Sequence, residues 1–142
     1  MVSCVSKTPS GQIDKMLKRV DAVEREIDVL YTQDFDYLVR EYQALDTTVV
    51  KTENIYADMA LLQAYLQQFE TYRVVIYENA ELSRKQLSDL KDDVKNHLYD
   101  EQTTTKYIKD EDYELRVMEA QIKYFHEKFD AQKEVVKQMK KE

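Results

Sequence analysis

From Ile13 onward, apolar residues recur every three or four positions. Ile13, Met16, Val20, Val23, Ile27 and Leu30 make one heptad stripe. Phe35, Leu38, Tyr42, Leu45 and Val49 continue it after a small phase shift. Met59, Leu62, Leu66, Phe69 and Ile76 form a second stripe, extended by Leu87, Leu90, Val94 and Leu98, with Ala80 and Ser83 as weak members. Leu115, Met118, Ile122, Phe125, Phe129, Val136 and Met139 form a third. No segment sustains the period of two that marks a half-buried strand. The spacing predicts an all-α protein.

The breaks are less sharply written. Pro9 and Gly11 lie near the start, where Thr8 or Ser10 is placed to cap a first helix. Thr47, Thr48, Val49, Val50 and Thr52 are β-branched and lose rotamer freedom in a helix, so a break is expected there. The polar stretch from Tyr99 to Thr105 is the second candidate. Breaking at both gives three helices over about 12–46, 53–100 and 105–140. Short connections then make sequential neighbours antiparallel. The expected architecture is a long antiparallel three-helix bundle with coiled-coil character, with a flexible tail at 1–11 and one helical domain at 12–142.

Ser83-Arg84-Lys85-Gln86 matches a capping box, with Leu82 and Leu87 as a staple. Because the heptad runs through it, a continuous helix with a kink or bulge is preferred over a break at Asn79–Ser83.

The run from Met59 to Phe69 is apolar around most of the helix circumference, and Val74, Val75, Ile76 and Tyr77 extend it. Such a helix lies at the centre of a bundle or is partly covered by another chain. Met59, Leu61, Leu62, Tyr65, Leu66, Phe69, Tyr72 and Tyr77 are therefore the candidate surface for self-association or a partner helix.

Composition narrows the class. In 142 residues there is one Gly, one Pro and one Cys, too little turn chemistry for an all-β fold and no glycine-rich phosphate loop. The charge of -7 disfavours nucleic acid as a partner. It is unevenly spread. Residues 1–20 carry +3, with Lys7, Lys15, Lys18 and Arg19 against Asp14, whereas residues 21–82 carry -9. A basic start on an acidic body suits a chain end near an anionic membrane surface, or simply a solvated helix start.

A single Cys makes neither an internal disulfide nor a cysteine-based zinc site. Its setting, Met1-Val2-Ser3-Cys4 followed by the polar stretch Ser6 to Gly11, resembles the end of a bacterial lipobox. The resemblance covers four residues, and the basic and apolar leader regions are absent from this chain. It implies that Cys4 is lipidated and that the protein is tethered in the bacterial envelope, facing the periplasm. Without the lipid, the alternative is a cytoplasmic helical adaptor. No run approaches the roughly 20 apolar residues of a membrane span.

Candidate chemistry is sparse. Asp93, His97 and Glu101 would share one helix face at i, i+4 and i+8, either as weak metal ligands or, as preferred, a solvated charge ladder. His126-Glu127-Lys128-Phe129-Asp130 mimics a zinc-protease helix but carries Asp in place of the second His. Di-iron bundles need Glu-x-x-His pairs, and the residues three before His97 and His126 are Val94 and Lys123. The chain has eleven Tyr and no Trp, and the tyrosines mostly flank the stripes, as bundle-edge packing or a recognition surface. The sequence thus predicts no enzyme, cofactor, metal or small-molecule substrate. It points to an interaction, scaffold or spacer protein, acidic and oligomeric, presenting a partner face on a rod of roughly 50 to 70 Å. The alternative is a holdase-like helical clamp for exported proteins, its acidity favouring basic clients.

Overall fold

The computed structural model describes residues 7–48 and 51–141. Helix α1 spans Pro9–Val29, a π-helical turn covers Leu30–Phe35, and α2 runs Asp36–Thr48. Helix α3 spans Glu53–Lys95 and α4 spans Glu101–Lys141. With α1, the π-turn and α2 forming one continuous arm, three helical arms pack as an all-α bundle.

Each of the three helical arms opens on a side-chain cap, and the caps set where the helices begin. The Gly11 N–H donates to Thr8 Oγ1 at 3.0 Å, and Pro9 follows as a first helical residue that has no N–H to satisfy. Helix α1 therefore opens at Pro9, inside the expected tail of 1–11. At α3 the Ile55 N–H donates to Thr52 Oγ1 at 3.3 Å, so the threonine-rich segment does separate two helices. At α4 the Thr103 N–H donates to Asp100 Oδ1 at 2.7 Å. Thr103 to Thr105 thus lie in the opening turns of α4 rather than in a break. Asp100 gains those bonds as a carboxylate, which holds its carboxyl below the usual range.

Helix α3 ends at Lys95, short of the expected 100. His97 adopts a left-handed backbone at φ 54°. The Leu98 N–H reaches back to Asp93 O at 2.9 Å, and the His97 N–H to Val94 O at 3.1 Å. This is the Schellman pattern, with histidine where glycine is the usual residue. Leu98, assigned to the second stripe from sequence, is consequently 62% exposed beyond the helix end.

The phase shift in the first stripe has a defined cause. Leu30 and Phe35 are both buried although five residues apart, where a heptad allows three or four. The π-turn absorbs the extra residue and returns Phe35 to the core side. No comparable defect marks α3, which is uninterrupted through Ser83. Ser83 is itself buried at a core position, so it does not cap a fourth helix.

The chain divides into two compact units. In the first, the described residues up to Arg25 pack with Ile76–Gln121. Its core holds Ile13, Met16, Val20 and Val23, together with Ile76, Leu87, Leu90, Leu115 and Met118. Arg19 pairs with Asp112 and Glu119, both at 2.6 Å. Arg84 joins Asp21 at 2.7 Å and Glu24 at 2.6 Å, and Lys91 joins Asp14 at 2.6 Å. Higher numbers on α3 meet lower numbers on α1, so these two helices are antiparallel.

The second unit is Glu26–Val75 with the described residues from Ile122 onward. Phe69 is its centre, with ring centroids 5.3 Å from Phe35, 5.2 Å from Phe125 and 5.1 Å from Phe129. Edge-on and tilted ring pairs of this kind add attraction beyond the area they bury. Lys133 pairs with Asp34 and Lys140 with Glu41 along the α4 side.

Candidate interaction surface

Of the eight residues selected from sequence, Met59, Leu62, Leu66 and Phe69 are buried in the second unit's own core. The chain itself covers them, and they offer no surface. The apolar circumference has a simple origin: one stripe fills the core while a second stays outside. Leu61 is 49% exposed and Tyr72 is 37% exposed, while Tyr65 and Tyr77 are half-buried.

Leu61, Tyr65, Tyr72 and Val75 each sit one residue before a heptad position of α3, which places them along one edge. That edge faces α4. The Tyr124 hydroxyl donates to Gln68 Oε1 at 3.1 Å, and the Tyr72 ring lies 5.8 Å from Phe125. The Lys128 ammonium is 5.9 Å from the Tyr65 ring and 5.6 Å from that of Tyr124. The result is an aromatic edge whose tyrosine rings are held by their neighbours and remain half-buried or exposed. Rigid, amphipathic rings supply contact area at low entropic cost, which is why tyrosine recurs in recognition surfaces. Val74 and Tyr77 follow heptad positions and occupy the opposite edge, Val74 at 48% exposure. All eleven tyrosines of the chain are half-buried or exposed, so none is core filling.

Several core positions of the heptads carry polar residues that apolar stripes alone do not reveal. Arg73 falls between Phe69 and Ile76, and its guanidinium sits 4.1 Å over the Tyr31 ring. Tyr31 in turn stacks on Phe35 at 5.5 Å, beside the π-turn. Glu111 and Gln132 hold the equivalent places in α4, each with a buried side-chain oxygen that has no hydrogen-bond partner. The signal available in the sequence was the seven-residue gap from Phe69 to Ile76 and from Phe129 to Val136.

The histidine constellations do not assemble. Asp93 lies in α3, His97 in the left-handed turn and Glu101 at the start of α4, so they share no helix face. Among the described residues, no group of three or more His, Cys, Asp or Glu is arranged to hold a metal ion. No described helix is long and apolar enough to cross a membrane. Cys4, the proposed lipid site, lies outside the described residues. No family model, curated protein or solved structure matches this chain.

Proposed function

We propose that this chain is a non-catalytic interaction module, a helical scaffold that receives a protein partner along the α3 edge of its second unit. The observation that carries the reading is the ordered line of Leu61, Tyr65, Tyr72 and Val75, exposed or half-exposed beside Tyr124 and Lys128. A helix laid into this edge would bury apolar area that the chain leaves in water, at roughly 25 cal/mol per Å² before binding costs. Lipidation of Cys4 would place the scaffold at a bacterial envelope membrane, and the lipobox-like tetrad supports that part alone.

Photo-crosslinking tests the surface directly. A benzophenone amino acid replaces Tyr72 in one variant and Tyr113, the most exposed tyrosine at 66%, in another. In native cells, Tyr72 is expected to give a discrete adduct that Leu61→Glu with Val75→Glu abolishes, while Tyr113 gives none. Equal adducts from both positions, or an adduct indifferent to the two glutamates, would sink the proposal. An adduct of two copies of this chain would identify the partner as itself.

A further inference from the structure

Charge is segregated within the first unit, and the side where α1 meets α4 carries the cations. The two helices run side by side in one direction. Lys7 and Pro9 share a depression with Thr104, Lys15 shares the next with Lys109, and Arg19 binds Asp112 and Glu119. Lys18 stands one turn after Lys15, Lys106 one turn before Lys109, and Arg116 two turns after it. Lys7, Lys15, Lys18, Lys106, Lys109 and Arg116 are all exposed.

Carboxylates beside these cations are already engaged. Arg19 takes Asp112 and Glu119, Arg116 also reaches Asp112, and Lys91 holds Asp14 toward α3. Glu101, beside Lys7, is the exception. Grouping sets the five lysines apart: Lys85, exposed on α3, has Glu81 and Asp89 one turn away on either side. The other side of α4 is the reverse. Asp110 and Glu111 line a depression with Asp89 and Asp93 of α3, and Glu114 follows one turn on. Burial, followed by the nearby Glu114 and Asp110, pushes the Glu111 carboxyl up from its ordinary range.

The net charge of -7 hides this polarity. Screening confines each charge to about 8 Å in physiological salt, so a flat anion touching one side meets the lysines and not the acids behind them. A nucleic acid is a poorer match, because a long polyanion extends past the basic side onto the acidic body. Lysine also fits a field of headgroups better than a single bound phosphate, for which the arginine fork is the usual device. Tyr113 stands outward between Lys109 and Arg116, 66% exposed, with Val117 at 37% beside it. Tyrosine is enriched at the headgroup level of bilayers.

We propose that the α1–α4 side of the first unit lies on an anionic lipid bilayer, its lysines on the headgroup phosphates and Tyr113 at headgroup depth. Lys15 and Lys109 are the centre of the contact, with Lys7, Lys18, Lys106 and Arg116 around them. The proposal is separate from the partner edge of the second unit, and it requires no lipid on Cys4.

The test is co-flotation of the full chain, carrying Cys4→Ser so that no lipid contributes, with phosphatidylcholine vesicles made with and without equimolar phosphatidylglycerol. Binding is expected to the anionic vesicles alone, and it should be lost at about 1 M sodium chloride. Lys15→Glu with Lys109→Glu should weaken it about tenfold and Tyr113→Ser about threefold. Lys85→Glu with Lys137→Glu changes the net charge equally and should weaken it less than about twofold. Circular dichroism confirms that each variant keeps its helices, and the substituted lysines and Tyr113 are exposed. No binding to anionic vesicles, equal binding to neutral ones, or equal weakening by the two lysine pairs would overturn the proposal. Tighter binding to polyglutamate than to the vesicles would also overturn it, assigning this side to an acidic protein segment. Because Cys4 is replaced and Leu61 to Val75 are untouched, failure here leaves the partner edge and the lipid tether standing.

Discussion

The two units are built on the same heptad and stabilised differently. The second is centred on four phenylalanines, with Phe69 touching three others. The first has no phenylalanine; its core is aliphatic and includes buried Ser83 and Thr104. What it has instead are seams stitched by Arg19 and Arg84, each gripping two carboxylates. Ring packing is insensitive to ionic strength, whereas half-exposed ion pairs are screened by salt. One repeat pattern thus supports two regions with different responses to solvent.

The largest test of that contrast is Phe69→Ala. Removing the ring from the middle of the cluster should cost about 3–5 kcal/mol, read as a lower urea midpoint. The loss should be the same in low and high salt. A cost below about 1 kcal/mol would mean that the cluster is loosely packed. Next comes Arg19→Met, which keeps much of the apolar stem but removes both ion pairs. About 1 kcal/mol should be lost at low salt and most of that recovered near 1 M sodium chloride. A salt-independent loss would reassign Arg19 to packing.

Glu111→Gln sharpens the contrast through pH. The folded state raises this carboxyl's pKa, so its contribution to stability is fully present below the unfolded value. It is lost as pH rises through the folded one. At neutral pH, Glu111→Gln should therefore stabilise the chain modestly. The variant should also flatten the decline in stability just above the ordinary carboxylate range. Asp100 acts in the opposite sense: its lowered pKa adds stability above the unfolded value, lost as pH falls through the folded one. Parallel pH profiles for the wild type and Glu111→Gln would show that the buried oxygen is solvated.

The smallest expected effect is a deletion. Removing Gln33, an exposed residue of the π-turn, leaves Leu30 and Phe35 four apart and restores regular α-helix. Stability should change by less than about 1 kcal/mol. Removing Gln63 from the regular α3 rotates one part of its core stripe by about 100° against the other and should unfold the chain.

Much of the fold was legible because apolar residues at steps of three and four leave little choice but helix. Thr8 as a cap and the separation near Thr52 could also be read from residue chemistry. Other features needed three dimensions. The step from Leu30 to Phe35 was visible as a phase shift, but nothing in those residues distinguishes a π-turn from a kink. Ser83-Arg84-Lys85-Gln86 satisfies the capping pattern, yet burial of Ser83 overrides it. Thr103 to Thr105 looked like a break because threonine disfavours helix interiors, whereas Asp100 makes that stretch a well-capped start. Half of the candidate surface was lost for a related reason. An apolar run has no mark separating residues that face the core from those one step beside it. Arg73, Glu111 and Gln132 escaped because a stripe defined by apolar residues is blind to polar ones in register.

The left-handed histidine between α3 and α4 has a kinetic consequence. A turn this short brings two long helices together with little loop entropy to overcome, whereas Arg19 meets Asp112 and Glu119 across 93 and 100 residues. The α3–α4 hairpin is thus the natural first structure, and α1 joins a surface already made. His97 then sits at the rate-setting corner, holding a backbone angle that costs a non-glycine residue about 1 kcal/mol. Substituting glycine there should speed refolding about fivefold while leaving unfolding nearly unchanged, because the corner belongs to the structure that forms first.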